Sequence, residues 1–198
     1  MDKKGLELSL TMIVTIILSI IIFIGALALM WKFFAGAEEI KGEIDRQTVA
    51  QIESLLRQGT DIVAMPVNAK EVSIGKDAVF GLGIRNLGED QGFYVVLGFA
   101  GIYDKEGRAL GMGAKEYVEE KWLGSFKQLE PVMIRRNKYE IVPIYIKAAT
   151  SVDEGVATPK QALVVFNVCV FRTEPQGECS PGNPDVYDKI KQVFIETK

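Results

Sequence analysis

The 198-residue chain contains no histidine. This removes the commonest general base, the Ser-His and Cys-His nucleophile pairs, and most catalytic zinc sites. Cysteine is scarce, with only Cys169 and Cys179. There is no Walker loop, no EF-hand series and no Asn-x-Ser/Thr acceptor. Gly81 and Gly83 mimic the start of a dinucleotide fingerprint, but Asn86 stands where that motif needs glycine. Acids are dispersed, so no carboxylate pair marks a glycosidase or metal site. Net charge is -3, which supplies no basic field for nucleic acid. Arg135 and Arg136 precede Asn137-Lys138 in a turn-like stretch and read as a solvated turn. The expectation is a protein that is not an enzyme, holds no cofactor or metal, and has no nucleic-acid partner.

What the sequence has in excess is one long apolar block. From Leu8 to Trp31 no residue is charged. As a helix rising 1.5 Å per residue it would measure about 36 Å, enough for a bilayer core about 30 Å thick. A buried helix of a soluble protein would need apolar partners on every side. A cleaved secretory signal would have a shorter apolar core, although Ala35-Gly36-Ala37 offers a cut site. Trp31-Lys32-Phe33-Phe34 reads as an interfacial anchor. Lys3 and Lys4 precede the block, and Glu38, Glu39 and Glu43 follow it. That asymmetry places the N-terminus in the cytoplasm and the rest outside. The localisation expected is therefore a single-pass cell-membrane protein with an extracellular C-terminal domain, or an extracellular filament after processing.

No proline interrupts Ala35 to Arg57, and Ile40, Ile44, Ile52 and Leu55 fall near one stripe, with Thr48 in its missing step. Gly59 is a natural end. The expectation is a continuous rod from Leu6 to Gln58, apolar first and amphipathic afterwards. Its stripe packs either on the chain's own β domain or on helices of neighbouring copies.

The residues Lys3-Lys4-Gly5, followed at once by Leu6-Glu7-Leu8-Ser9-Leu10, resemble the class III signal peptide of archaeal type IV pilins and archaellins. The resemblance covers about the first 58 residues and implies cleavage after Gly5 by a prepilin peptidase-like enzyme. Leu6 would become the mature N-terminus, and the apolar helix the core of a filament of identical subunits. Leu10 stands where bacterial pilins carry a glutamate, and the acid present is Glu7. Thr11, Thr15 and Ser19 recur every four residues, and with Gly25 and Trp31 they mark the expected assembly helix. Small and hydroxyl side chains permit close helix approach; they are equally compatible with a lone helix in which each hydroxyl bonds a carbonyl one turn back.

From about Ile62 the period changes to alternation. Phe80, Leu82 and Ile84 share one face, and Phe93, Val95, Leu97 and Phe99 alternate in the next segment. Pro131–Ile134, Tyr139–Ala148 and Gln161–Arg172 follow. About seven short strands separated by turn signals suggest a sandwich, and Pro143 suggests an edge strand or bulge. The run from Ile74 through Gly88 weakly resembles the opening of an immunoglobulin-like adhesion module. Trp122-Leu123-Gly124-Ser125-Phe126 is either core or a subunit contact. Cys169 and Cys179 form either a disulfide, worth somewhat under about 3 kcal/mol by loop closure, or two buried thiols. Asp185–Glu196 reads as a short amphipathic helix capped by Asn183-Pro184.

The fold class expected is thus α+β: a long N-terminal transmembrane and amphipathic helix, an antiparallel β-sandwich (immunoglobulin-like) head, and a short C-terminal helix. The boundaries are a leader-like peptide at 1–5, a membrane helix at 6–34, a stalk helix at 35–60 and the β domain at 61–198. The function expected is a pilin-like filament subunit, with membrane, like copies and the processing peptidase as partners. The alternative is a monomeric membrane-anchored binding or adhesion protein.

Overall fold

The computed structural model describes residues 12–26, 44–59, 61–175 and 177–198. The chain divides into two compact units, Met1–Glu43 and Ile44–Lys198. In the first, residues 12–26 are helical (α1). In the second, α2 (Arg46–Gln58) precedes ten strands, and a short helix α3 (Lys115–Val118) runs on into a π turn and a 3-10 turn.

The fold is mostly β. One sheet has three strands in the order β1 (Val63–Ala64), β3 (Asp77–Arg85), β6 (Tyr139–Lys147). The other has five: β2 (Ala69–Val72), β10 (Lys191–Thr197), β9 (Leu163–Phe171), β4 (Gln91–Tyr103), β5 (Val132–Ile134). A hairpin of β7 (Ser151–Asp153) and β8 (Val156–Ala157) completes the set. One apolar cluster joins the two larger sheets, with Phe80, Leu82, Ile84 and Ile144 from the first meeting Phe93, Val95, Phe166 and Ile195 from the second. Alternation produces this, because side chains two residues apart share a face. Trp122 and Leu123 of the π turn are buried in the same cluster, whereas Phe126 is 39% exposed, so only the start of this segment is core. Pro143 sits on β6, an edge strand, opposite Gly81, where its missing N–H costs no ladder bond.

The α+β expectation is corrected in three places. First, the continuous rod does not form. Asp45 has φ −52° and ψ 135°, outside the helical region, and its carboxylate accepts the Gln47 N–H at 3.1 Å. This is an N-cap, so α2 starts afresh there. Among the described residues no helix is long and apolar enough to cross a membrane. The fifteen helical residues 12–26 rise only about 22 Å, against a hydrocarbon core of about 30 Å. The single-pass anchor and the localisation drawn from it go with that finding. Residues 6–11 and 27–34 of the expected span, and 35–43 of the expected stalk, lie outside the described residues.

Second, the all-antiparallel arrangement expected of the sandwich is not what is built, because β2 and β10 pair in parallel from Ala69↔Phe194 to Val72↔Thr197. Third, the expected C-terminal helix is the strand β10. Asn183 Oδ1 does accept the Asp185 N–H, at 3.0 Å, but this closes an Asx turn. The chain then joins β9 antiparallel, burying Val193, Ile195 and Thr197.

α2 packs on its own sheet through Thr48, Ile52 and Leu56. Glycine makes this close approach feasible: a Cβ at Gly83 would lie 2.2 Å from Ile52 Cγ2 and 2.7 Å from Leu56 Cδ1. Gly83→Ala is expected to destabilise the β-rich unit by about 1–3 kcal/mol, read as a lower urea midpoint at unchanged slope. An unchanged midpoint would show that α2 can lift off without loss.

Candidate functional site

The sequence-expected assembly residues fall in two groups. Lys3, Lys4, Gly5, Leu6, Thr11 and Trp31 lie outside the described residues. Thr15, Ser19 and Gly25 lie on α1. Every described residue of α1 is exposed, and its large apolar side chains range from 42% at Ile13 to 64% at Phe23. Ser19 Oγ donates to the Thr15 carbonyl at 2.8 Å, which consumes the hydroxyl within the helix and leaves a small, polarity-satisfied surface. An open groove of about 420 Å³ runs past Thr15, Ile16, Ser19, Ile20 and Phe23. A Cβ at Gly25 would meet nothing within 4 Å among the described residues, so none of them imposes a steric demand for glycine there.

In the β-rich unit, Cys169 and Cys179 form a disulfide. Cys169 belongs to β9, and the bond draws the following loop back over the outer face of the five-stranded sheet. Cys179 lies so close to β4 that a Cβ at Gly98 would be 2.8 Å from its carbonyl oxygen. Val96, Phe171 and the two half-cystines form a small buried cluster there, with Tyr94, Val186 and Ile190 against it. The Glu178 carboxylate pairs with the Lys115 ammonium on α3. Its hydrogen bond from Lys115 holds the Glu178 carboxyl below the usual carboxylate range and raises Lys115 in turn. The tie is therefore present at neutral pH and is lost as pH falls through the lowered Glu178 value. Replacing both cysteines by serine is expected to cost about 2–3 kcal/mol, checked by urea unfolding against the oxidised protein. A loss below about 0.5 kcal/mol would mean that the loop is held instead by Glu178 and by Tyr187, whose hydroxyl donates to the Arg85 carbonyl at 2.9 Å.

Beneath this loop is a cleft of about 320 Å³ with Glu119, Lys127 and Gln128 in its lining. Glu119 is buried. One carboxylate oxygen accepts the Phe99 N–H at 3.0 Å, and the other lies 2.7 Å from Lys127 Nζ. Both oxygens are thus occupied in clamping the π turn to β4. Nothing in the sequence announced Glu119, which sits among other acids and lysines and is singled out only by the irregular turn. Among the described residues no group of three His, Cys, Asp or Glu side chains is placed to hold a metal ion.

No family model matches the chain, and no curated protein matches it. Among solved structures it is similar to a β-glucosidase from Listeria innocua in complex with glucose, at 12% identity and a TM-score of 0.37, over 68% of this chain and 16% of that one. A family 123 glycoside hydrolase from Clostridium perfringens gives 11% identity and a TM-score of 0.33, over 73% of this chain and 24% of that one. A class 5 fimbriae chaperone gives 10% identity and a TM-score of 0.31, over 69% and 57%. The chain thus spans less than a quarter of the two glycosidases. These likenesses are too slight to carry an argument about fold or function.

Proposed function

We propose that the protein is a pilin-like structural subunit that assembles with copies of itself through α1. The observation that carries this reading is the exposure of apolar side chains on every side of that helix, with no charged residue between Met12 and Ala26. A helix that is apolar all round is buried in its working state. One partner covers only one stripe, so the whole circumference is covered when several like helices surround one another and exclude water. Identical subunits supply those helices in equal number, which a filament uses indefinitely. The self-satisfied Ser19 supports close approach along one face.

The Lys3-Lys4-Gly5 leader resemblance joins this reading as its processing step: removal of residues 1–5 leaves Leu6 as the mature N-terminus. The test is mass spectrometry of the native N-terminus, paired with electron microscopy of the same fraction. A chain beginning at Leu6 within filaments is the expected result. A chain beginning at Met1 and sedimenting as a discrete monomer would sink both the processing and the assembly.

A further inference from the structure

A second surface, independent of α1, lies on the outer face of the five-stranded sheet. Asn167 of β9 and Gln192 of β10 are directly opposed across the ladder, and Gln192 Nε2 donates to Asn167 Oδ1 at 3.0 Å. They lie in a groove of about 480 Å³. Phe194, two residues along β10, shares their face and the groove. Its N–H donates to the Asn68 carbonyl at 2.8 Å, which fixes Asn68 beside the ring. Pro181 also lines the groove. It is held by the disulfide two residues earlier in the chain.

The chemistry of this lining is specific. Asn167 is only 4% exposed, and its Oδ1 is taken by Gln192. No buried side-chain nitrogen or oxygen among the described residues lacks a partner, so the Asn167 amide nitrogen, which makes no hydrogen bond among the described residues, opens to the groove that Asn167 lines. Asn68 and Gln192 add two more primary amides, each a planar donor and acceptor pair. Among the described residues the one cation in the lining, Lys191, lies 3.7 Å from the Asp188 carboxylate, so the groove they form offers amides rather than net charge. β10 is paired on both sides, by β9 and β2, so the strand that carries Gln192 and Phe194 offers no free edge to an extended peptide.

We propose that this groove binds a neutral carbohydrate. Its amides match the paired donors and acceptors of adjacent sugar hydroxyls, and the Phe194 ring offers a flat apolar surface for the C–H face of a sugar ring.

The test uses the full chain in a detergent without a sugar headgroup, so that the solvent does not compete. Calorimetry and saturation-transfer NMR would be run with neutral hexose, pentose and N-acetylhexosamine oligosaccharides, and with an oligogalacturonate as the acidic counterpart. At least one neutral oligosaccharide is expected to bind, and Phe194→Ala and Gln192→Ala each to weaken it about tenfold or more. Gln192 is exposed, so its variant keeps the test valid should Phe194→Ala unfold. Reduction of Cys169–Cys179 is expected to weaken binding as well, by freeing Pro181. The proposal is overturned if no neutral oligosaccharide binds, if the acidic one binds more tightly, or if binding ignores both substitutions.

Discussion

Phe166→Ala is expected to destabilise the β-rich unit by about 3–5 kcal/mol, a large part of the 5–15 kcal/mol that holds a typical domain folded. Phe166 is fully buried on β9, the strand flanked by β4 and β10 in the five-stranded sheet. Its ring lies 5.9 Å from those of both Phe99 and Trp122. The cost of such a truncation depends on whether neighbours can collapse into the space. Here they are pinned. Trp122 Nε1 donates to the Ser151 carbonyl at 3.1 Å, and the Phe99 N–H is held by Glu119. The backbone of Phe166 is laddered to Phe99 on one side and Val193 on the other. Urea unfolding followed by tryptophan fluorescence reads the result. A loss under about 1 kcal/mol would mean that Trp122 swings into the gap, and that its hydrogen bond is weaker than its geometry implies.

The strands that carry this core could be read from the sequence because they obey one local rule. Phe80, Leu82 and Ile84 alternate with small residues, and Val164, Phe166, Val168 and Val170 alternate with another series on the opposite face. Period two needs no knowledge of partners. Sequence and structure part where a local signal has two structural meanings. Asn183 before Pro184 suits a helix start and an Asx turn equally, and Val186, Ile190 and Val193 are spaced as on a helix. Pairing with β9 made the C-terminal segment a strand, a non-local interaction that outweighs propensity. Asp45 carries the opposite lesson. It lies between apolar positions of one stripe, yet a side chain that can cap a helix start ended the rod.

The parallel pairing of β2 with β10 was invisible for a further reason. Ala69-Lys70-Glu71-Val72 has little strand character of its own and is fixed by its partner. The same holds for the candidate sites. The apolarity of α1 is written along consecutive residues and could be read directly. Asn167 and Gln192 are 25 positions apart, and Asn68 lies much farther up the chain. Only the order β2-β10-β9 brings the three amides to one groove.

Ile20→Asp and Leu18→Asp, made separately, are expected to abolish assembly while leaving the melting of the β-rich unit unchanged. Residues two apart on a helix are about 200° apart around its axis, so these substitutions probe opposite sides of α1. Ile20 lines the groove beside Thr15 and Ser19, and Leu18 does not. Both are exposed within the single chain, at 53% and 55%. In the isolated subunit a carboxylate at either position stays in water and costs little. Packed among apolar helices the same carboxylate loses its hydration, a penalty of several kcal/mol per subunit unless it is paired, and a repeating assembly multiplies that penalty at every step. Sedimentation and electron microscopy of the two variants therefore separate the possible arrangements. Loss of assembly in both is the result required by burial on all sides. Loss only with Ile20→Asp would reduce the interface to the Thr15–Ser19 face, a pairwise contact that gives no helical core. Assembly as in the unsubstituted protein by both variants would remove α1 from the contact and leave its apolar surface without the role proposed for it.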